Sequence, residues 1–207
     1  MTNTANEYRG KPYSDDVWAG GPQQIPGRVM CAYYDAGGEC VAYHDSDAVN
    51  HGSGELNPVD GSYLHSFRLN EGVDTSYVKY KDEIDNSPYN YVQPVENMLY
   101  VGWTVPGEWV KYTVSVAETG VYDVHLLYTS FQGGAVMLTV DDREVTNALA
   151  IASTFRAEDP IDWRQYHHWN IAENLAEITL QQGVHTLTLH TVENGNMNYG
   201  YLEFVKK

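Results

Sequence analysis

The sequence predicts an all-β fold, a jelly-roll β-sandwich of antiparallel strands. Short runs in which every second residue is apolar recur from Arg28 onward, Gly, Asn and Asp bound most of them, and no stretch sustains a 3.6-residue period. The 207 residues are 43% hydrophobic, 13% aromatic and 19% charged, enough apolar surface for one sizeable core and too little charge for a disordered chain. With 12 Lys+Arg against 28 Asp+Glu the formal net charge is -16. Such a surface repels phosphate backbones and anionic headgroups, so nucleic acid and membrane are not expected partners and a neutral or cationic ligand is favoured. The aromatic set of 17 Tyr and 5 Trp against 4 Phe gives most rings a polar handle suited to half-wet surfaces.

Residues 1–24 carry Asn, Gly, Ser and Pro without an apolar period, which reads as an N-terminal arm or linker with Trp18 as an anchor. No window approaches 18 consecutive apolar residues and the opening stretch lacks the apolar centre of a signal peptide, so the chain reads as a soluble, mature one. Residues 25–207 form the sandwich. Its first strand-like segments flank Asp35-Ala36-Gly37-Gly38, a strong turn signal, which places Cys31 and Cys40 on either side of a hairpin. A disulfide there closes a loop of about ten residues, stabilises by roughly 2.7 kcal/mol in the chain-entropy model and implies an oxidising compartment. The alternative is two buried free thiols. Residues 52–98 are polar and contain Pro, a long loop insertion of the kind that is usually functional or mobile. Beyond it, alternation predicts half-buried strands at Val110–Val116 and Tyr122–Tyr128, with Tyr112, Tyr122 and Tyr128 directed to the core. Further strands are expected at Ala135–Val140, Ala176–Leu180, His185–Leu189 and Tyr199–Val205. Asp141-Asp142 and Glu158-Asp159-Pro160 read as turns.

Common catalytic signatures are absent: no Gly-x-Ser-x-Gly elbow, no His-Glu-x-x-His, no phosphate-cradling glycine loop and no cysteine pair at zinc spacing. His167 and His168 are adjacent, and strand neighbours point to opposite faces, so they do not chelate one ion. His185 shares a strand face with Leu187 and Leu189 and reads as a core histidine. Asp45-Ser46-Asp47-Ala48-Val49-Asn50 begins like a calcium loop, but Val49 occupies the third ligand place. It is the one place where the residues admit calcium, and a solvated acidic loop is the ordinary reading. The aromatic residues carry the strongest signal. Trp103, Trp109, Trp163, Tyr166 and Trp169 lie at strand ends or in turn-rich segments, where a rigid scaffold presents rings to solvent. A pyranose has an apolar face of axial C–H groups and a girdle of hydroxyls, so flat rings with a few amides form its natural site; Asn194, Asn196 and Asn198 supply amides just before the last strand. Trp109, beside an alternating strand, reads as a core or corner residue.

In their order along the chain, four motifs resemble family 6 carbohydrate-binding modules, non-catalytic β-sandwich (galactose-binding-like) modules of polysaccharide-degrading enzymes. They are Ile25-Pro26-Gly27-Arg28 with Tyr34-Asp35 and Gly37-Gly38-Glu39; Val41-Ala42-Tyr43-His44-Asp45; Val101-Gly102-Trp103 with Pro106-Gly107-Glu108-Trp109-Val110-Lys111-Tyr112; and Gly183-Val184-His185-Thr186-Leu187 through Asn198 to Tyr201-Leu202-Glu203-Phe204. The resemblance covers residues 24–207 apart from the insertion. It implies a cleft in the loops at one edge, with two rings sandwiching a sugar and an Asn hydrogen-bonded to it. Trp103 matches the first ring and Asn198 the amide. The second ring is Trp163 if its loop is longer than usual, or Tyr166 if Tyr166-His167-His168-Trp169 replaces that segment directly; Trp163 is slightly favoured. Such modules also hold a structural calcium through two Glu in the first strand and an Asp or Asn in the last. The matching positions here are Met30, Ala32 and Gly200, so no metal is expected there, and a Cys31–Cys40 disulfide is expected to fasten the first strand in its place.

The resemblance implies no cofactor and no catalysis. It implies binding of a neutral plant or microbial polysaccharide or oligosaccharide, targeting of an appended or partner glycoside hydrolase, and a secreted or cell-surface location. Tyr77, Tyr80, Tyr89 and Tyr91 are candidates to wall the cleft from the insertion. Two other readings stand beside this one: a small sandwich glycoside hydrolase or lyase using carboxylates such as Glu108 or Asp162, and a structural or adhesion module without sugar specificity.

Overall fold

The computed structural model describes residues 8–207, so the first seven residues of the expected arm lie outside the described residues. The strands are, in chain order, β1 (Gln23–Ile25), β2 (Gly27–Met30), β3 (Tyr43–His44), β4 (Thr75–Tyr77), β5 (Leu99–Val101), β6 (Trp109–Val116) and β7 (Gly120–Ser130). They continue with β8 (Gly134–Val140), β9 (Arg143–Glu144), β10 (Leu149–Ile151), β11 (Asn170–Leu180), β12 (Gly183–Glu193) and β13 (Met197–Lys206). All six alternating runs read from the sequence lie inside the long strands β6, β7, β8, β11, β12 and β13. The Asp141-Asp142 turn joins β8 to β9, and both residues have the positive φ (50° and 58°) that a tight hairpin turn requires.

The strands form two sheets. One has the order β1-β6-β12-β8-β10, with β3 on β6 and β9 on β8; the other has the order β11-β7-β13-β5-β4, with β2 on β13. The inner faces meet in a core built from Tyr112, Leu138, Leu187 and Leu189 on one side and Tyr122, Leu126, Tyr128, Leu202 and Phe204 on the other. Alternation places every second side chain there, and burying one Leu or Val stabilises by about 1.5–3 kcal/mol. The three expected core tyrosines are buried, and their hydroxyls find partners: Tyr112 donates to the Cys31 carbonyl (3.1 Å), Tyr122 donates to the Glu118 carbonyl (2.6 Å), and the Tyr128 hydroxyl accepts from Asn170 Nδ2 (3.5 Å). His185 is half-buried at the sheet margin, not in the core, with Nδ1 2.7 Å from the Asp141 carboxylate and Nε2 2.9 Å from the Gln181 carbonyl.

The insertion covers the second sheet. Tyr100, Leu127 and Tyr201 point outward from β5, β7 and β13 and pack against Val78, Met98 and Trp169 in a second buried cluster. A third, smaller cluster of Ala32, Phe67 and Leu99 brings in Tyr13 and Tyr33, and Trp18 stacks on Tyr33 with ring centroids 3.9 Å apart. Asn50 opens the insertion: its Oδ1 accepts the N–H groups of Gly52, Ser53 and Thr75, and its Nδ2 donates to Thr75 Oγ1 at 2.9 Å. The Arg68 side chain, 1% exposed, then pins the loop, donating to the carbonyls of Tyr34 (2.7 Å) and Asp35 (3.0 Å) and to Glu71.

The disulfide expectation fails. Cys31 and Cys40 are both free, Cys31 buried and Cys40 exposed. Cys31 starts a 3-10 turn and its side chain enters the inter-sheet core, whereas Cys40 sits at φ +61° in the surface turn beside Glu39. Burial pushes the Cys31 thiol up to about 12, which leaves it inert. The positions matched to the calcium ligands have packing roles. Ala32 belongs to the third cluster, and a Cβ on Gly200 would stand 2.9 Å from both Leu127 and Met98. In the Asp45–Asn50 segment, Asp45 accepts the Asp47 N–H (3.1 Å) and Asp47 the Val49 N–H (2.7 Å), so these acids cap their own backbone.

Candidate functional site

After β5 the chain turns sharply through Gly102 and Trp103. Trp103 has φ +47°, in the left-handed region that a bulky residue occupies only when its surroundings hold it there. The hold comes from the start of β13. The Trp103 N–H donates to Asn198 Oδ1 (3.1 Å), Thr104 Oγ1 donates to the Met197 carbonyl (3.1 Å), and the Met197 N–H returns to Thr104 Oγ1 (3.2 Å). Gly102 permits the approach, since a Cβ on it would lie 2.8 Å from Asn198 Oδ1. The indole of Trp103 is left 37% exposed.

The second wall comes from the loop between β10 and β11. Here Asp159 and Arg164, both buried, form a bidentate pair (2.6 and 2.9 Å) that folds the segment into a 3-10 turn over Asp162–Tyr166. Trp163 and Tyr166 project from that turn, 54% and 43% exposed. Tyr166 is clamped: its ring meets Phe131 edge-on at 4.2 Å and stacks on Phe155 at 5.6 Å. His168 is buried, and its burial pushes its pKa down to about 4, so it is neutral beside Asp159. His167 turns the other way, into the site, as expected for neighbours on an extended chain.

The insertion supplies the third wall through Leu56, Lys79, Ile84 and Asp85. Asp85 is 1% exposed and accepts three hydrogen bonds, from His167 Nε2 (2.5 Å), Trp169 Nε1 (3.0 Å) and the Lys79 N–H (2.7 Å). Burial raises its pKa, but these donors, led by His167, outweigh that and hold the carboxyl below the usual range. Burial lowers the pKa of Lys79, which donates to Ser76 Oγ at 3.0 Å and lies 4.3 Å over the Tyr77 ring.

These walls enclose one cleft of about 830 Å³. Trp103, Trp163, Tyr166 and Asn198, the four residues singled out from sequence, all line it, together with Phe131, Tyr100, His167 and Asn196. Asn198 is only 8% exposed, and its amide protons are committed to Thr129 Oγ1 (2.6 Å) and His167 Nδ1 (2.9 Å), which leaves one lone pair of Oδ1 for a ligand. The insertion tyrosines are used elsewhere. Tyr77 bonds His65 (3.0 Å), Tyr80 packs on the second cluster, and Tyr91 lies under Arg156 at 4.0 Å.

No protein-family model and no curated protein matches the sequence. Among solved structures, the carbohydrate-binding module CsCBM6-3 from Clostridium stercorarium, in complex with cellobiose, matches 90% of this chain and 98% of its own at 10% identity and TM-score 0.52. The chain shares that module's β-sandwich fold. A glycoside hydrolase family 43 arabinoxylan arabinofuranohydrolase from Bacillus subtilis, in complex with cellotetraose, matches 95% of this chain at 15% identity and TM-score 0.51, and the chain spans 33% of that enzyme. A cycloisomaltooligosaccharide glucanotransferase from Paenibacillus sp. matches 55% of this chain at 19% identity and TM-score 0.41, with 15% of its own length covered.

Within this β-sandwich neither proposed catalytic carboxylate lines the cleft. Glu108 is buried, with Oε1 accepting the Ser46 N–H (3.0 Å) and Oε2 the Val105 N–H (2.7 Å), and Asp162 is exposed at the start of the 3-10 turn. Among the described residues one group could hold a metal, Glu39, Cys40 and His44, at the surface and away from the cleft lining; His44 Nδ1 and Cys40 Sγ both bond Glu39 Oε1, at 2.5 and 3.3 Å. No helix among the described residues is long and apolar enough to cross a membrane. Sequence reasoning missed Asp85, Lys79, Leu56, Ile84, Phe131 and the part His167 plays. Only His167 and Phe131 carried a signal, a polar ring in the aromatic Tyr166–Trp169 segment and an aromatic between two predicted strands.

Proposed function

We propose that the domain is a non-catalytic carbohydrate-binding module. It holds a neutral plant or microbial polysaccharide or oligosaccharide in the cleft and targets an appended or partner glycoside hydrolase to it, outside the cell or at its surface. The observation that carries the reading is the convergence of half-exposed Trp103 and Trp163, from loops 60 residues apart in sequence, on one concave site with an amide at its base. Rings of this kind offer flat apolar area to the C–H face of a pyranose, and the groups around them answer its hydroxyls. Trp163 is the second stacking ring in this reading, because it is the more exposed of the two and Tyr166 is already packed against Phe131 and Phe155. Cellobiose in the Clostridium module and cellotetraose in the Bacillus enzyme, both neutral, support this ligand class. A binding role is further supported by the carboxylates. Glycoside hydrolysis commonly uses two, roughly 5–9.5 Å apart, whereas the cleft lining contains one, Asp85, buried and fully bonded.

Electrophoresis through gels containing xylan, mixed-linkage glucan, laminarin or agarose, paired with a reducing-end assay, tests the reading. Retardation in at least one gel is expected, lost in Trp103→Ala, with no sugar released. Release of reducing ends would favour the hydrolase, and free migration in every gel the adhesion module.

A further inference from the structure

We propose that the insertion is part of the binding machinery: its Asp85 sets the tautomer of His167, which orients Asn198, which in turn holds Trp103 in the cleft. The proposal rests on the carbohydrate-binding reading for its purpose, but the hydrogen-bond chain exists in the free protein. Its direction follows from donors and acceptors. A backbone N–H can only donate, so the Trp103 N–H, 3.1 Å from the Asn198 amide, fixes Oδ1 on that side. Nδ2 therefore faces His167 and donates to its Nδ1 at 2.9 Å, with a second proton for Thr129 Oγ1 at 2.6 Å. Accepting at Nδ1 forces the neutral imidazole to carry its proton on Nε2, and that N–H meets Asp85 at 2.5 Å.

Asp85 is built for this position. It is buried, and two further donors, Trp169 Nε1 and the Lys79 N–H, keep it ionised and aimed at His167. The imidazole is boxed by rings from the scaffold, Tyr100 of β5 at 5.9 Å and Trp169 at 5.6 Å. The charged and titratable groups around it are Asp85 and Lys79 from the insertion, Tyr100 from β5 and its neighbour His168. The insertion is in turn tied to the loop that bears Trp163, through Arg164 Nη1 donating to the Glu83 carbonyl at 2.8 Å. One segment of the insertion, residues 79–85, thus fixes both aromatic walls. Asp85 and His167 are positioning residues: without them Asn198 Nδ2 keeps only Thr129 Oγ1 as an acceptor, the amide is held less firmly, and the bond to the Trp103 N–H that holds its left-handed backbone weakens.

Nitrogen-15 NMR of the His167 ring, in the free protein at neutral pH, reads the chain directly. The wild type is expected to show Nδ1 unprotonated and Nε2 protonated. Asn198→Asp keeps an acceptor for the Trp103 N–H but puts a second acceptor on Nδ1, so His167 is expected to become protonated at both nitrogens. Asp85→Asn is expected to mix the tautomers, shift the Trp103 indole resonance and weaken retention by the retarding glycan at least about tenfold, the consequence of one lost buried hydrogen-bond partner. Should Asp85→Asn fail to fold, Asn198→Asp decides. A wild-type His167 protonated on Nδ1, a neutral His167 in Asn198→Asp, or a folded Asp85→Asn with unchanged indole resonance and retention would overturn the proposal. If no glycan binds the wild type, the ring nitrogens still decide the chain, and the failure belongs to the carbohydrate reading alone.

Discussion

A single missing methyl group shapes the cleft. Gly102 faces Asn198 so closely that a Cβ would sit 2.8 Å from Oδ1 and 3.3 Å from the Tyr100 ring. Gly102→Ala forces either the amide or the Trp103 turn to move, and both motions break the Trp103 N–H bond. We expect a loss of about 1–3 kcal/mol in denaturant unfolding and a clear fall in glycan retention; unchanged values for both would show that the close approach is not needed. The two candidate rings separate in the same assays. Trp163→Ala is expected to abolish retention with little change in melting temperature, since the ring is 54% exposed. Tyr166→Ala is expected to lower the melting temperature, through its lost contacts with Phe131 and Phe155, more than it lowers retention. At this scale Trp103, Trp163, Tyr166 and Asn198, which line one cleft, could be singled out from the sequence because aromatics in turn-rich segments and amides before a strand are visible locally. It concealed Asp85 and His167, which meet across 82 residues. It also misled at Cys31, which turns into the core inside a 3-10 turn where a hairpin strand was expected.

Whole elements were legible where one periodicity governs them. The long strands β6, β7, β8, β11, β12 and β13 each send alternate residues into the inter-sheet core, and alternation records that directly, whereas the outward residues that β7 and β13 also bury, Leu127 and Tyr201, are covered from outside the sandwich. The insertion has no such period. Phe67, Val73 and Val78 are apolar residues scattered among polar ones, and each is buried against a different surface. The β10–β11 loop is organised by charge, with Arg164 4% and Asp159 0% exposed by side chain. Neither a buried bidentate pair nor the carbonyl of Glu83 that Arg164 also reaches can be inferred from a turn signal at Glu158-Asp159-Pro160. Removing one partner strands the other charge in the interior, which costs about 3–5 kcal/mol. Asp159→Ala is therefore expected to lower the unfolding free energy by that amount and to release Trp163 from the cleft. A fall of less than about 1 kcal/mol in a denaturant titration would mean that the pair does not organise the loop.

Charge is the property of the whole molecule, and with -16 spread over the surface the carboxylates repel one another. The sharpest local effect is at Asp45, pushed up to about 7 by burial and by the nearby charges of Glu108, Asp74 and Asp47. Asp74 is similarly raised to about 6 by burial, with Asp47 and Glu108 among the charges that add to it. A carboxyl whose folded pKa exceeds its unfolded value holds more protons in the folded state between the two, so stability falls as pH rises through that window. Below about pH 6.5 the buried His168, pushed down to about 4, and His190, also lowered by burial, act in the opposite sense, because the unfolded chain takes up the protons that the folded one refuses. The window from pH 6.5 to 8 is therefore where Asp45 dominates, with the exposed His51, raised by Glu55 and Asp47, adding a solvent-screened contribution of the same sign. The melting temperature of the wild type is expected to drop between pH 6.5 and 8. Asp45→Asn keeps the oxygen that accepts the Asp47 N–H but removes the charge, so it is expected to melt higher than the wild type at pH 8 and to show a flatter profile across the window. Calorimetry at the two pH values decides the matter: a variant that melts no higher than the wild type at pH 8 would mean that Asp45 is ionised without strain and that the acidity of this surface does not limit the fold.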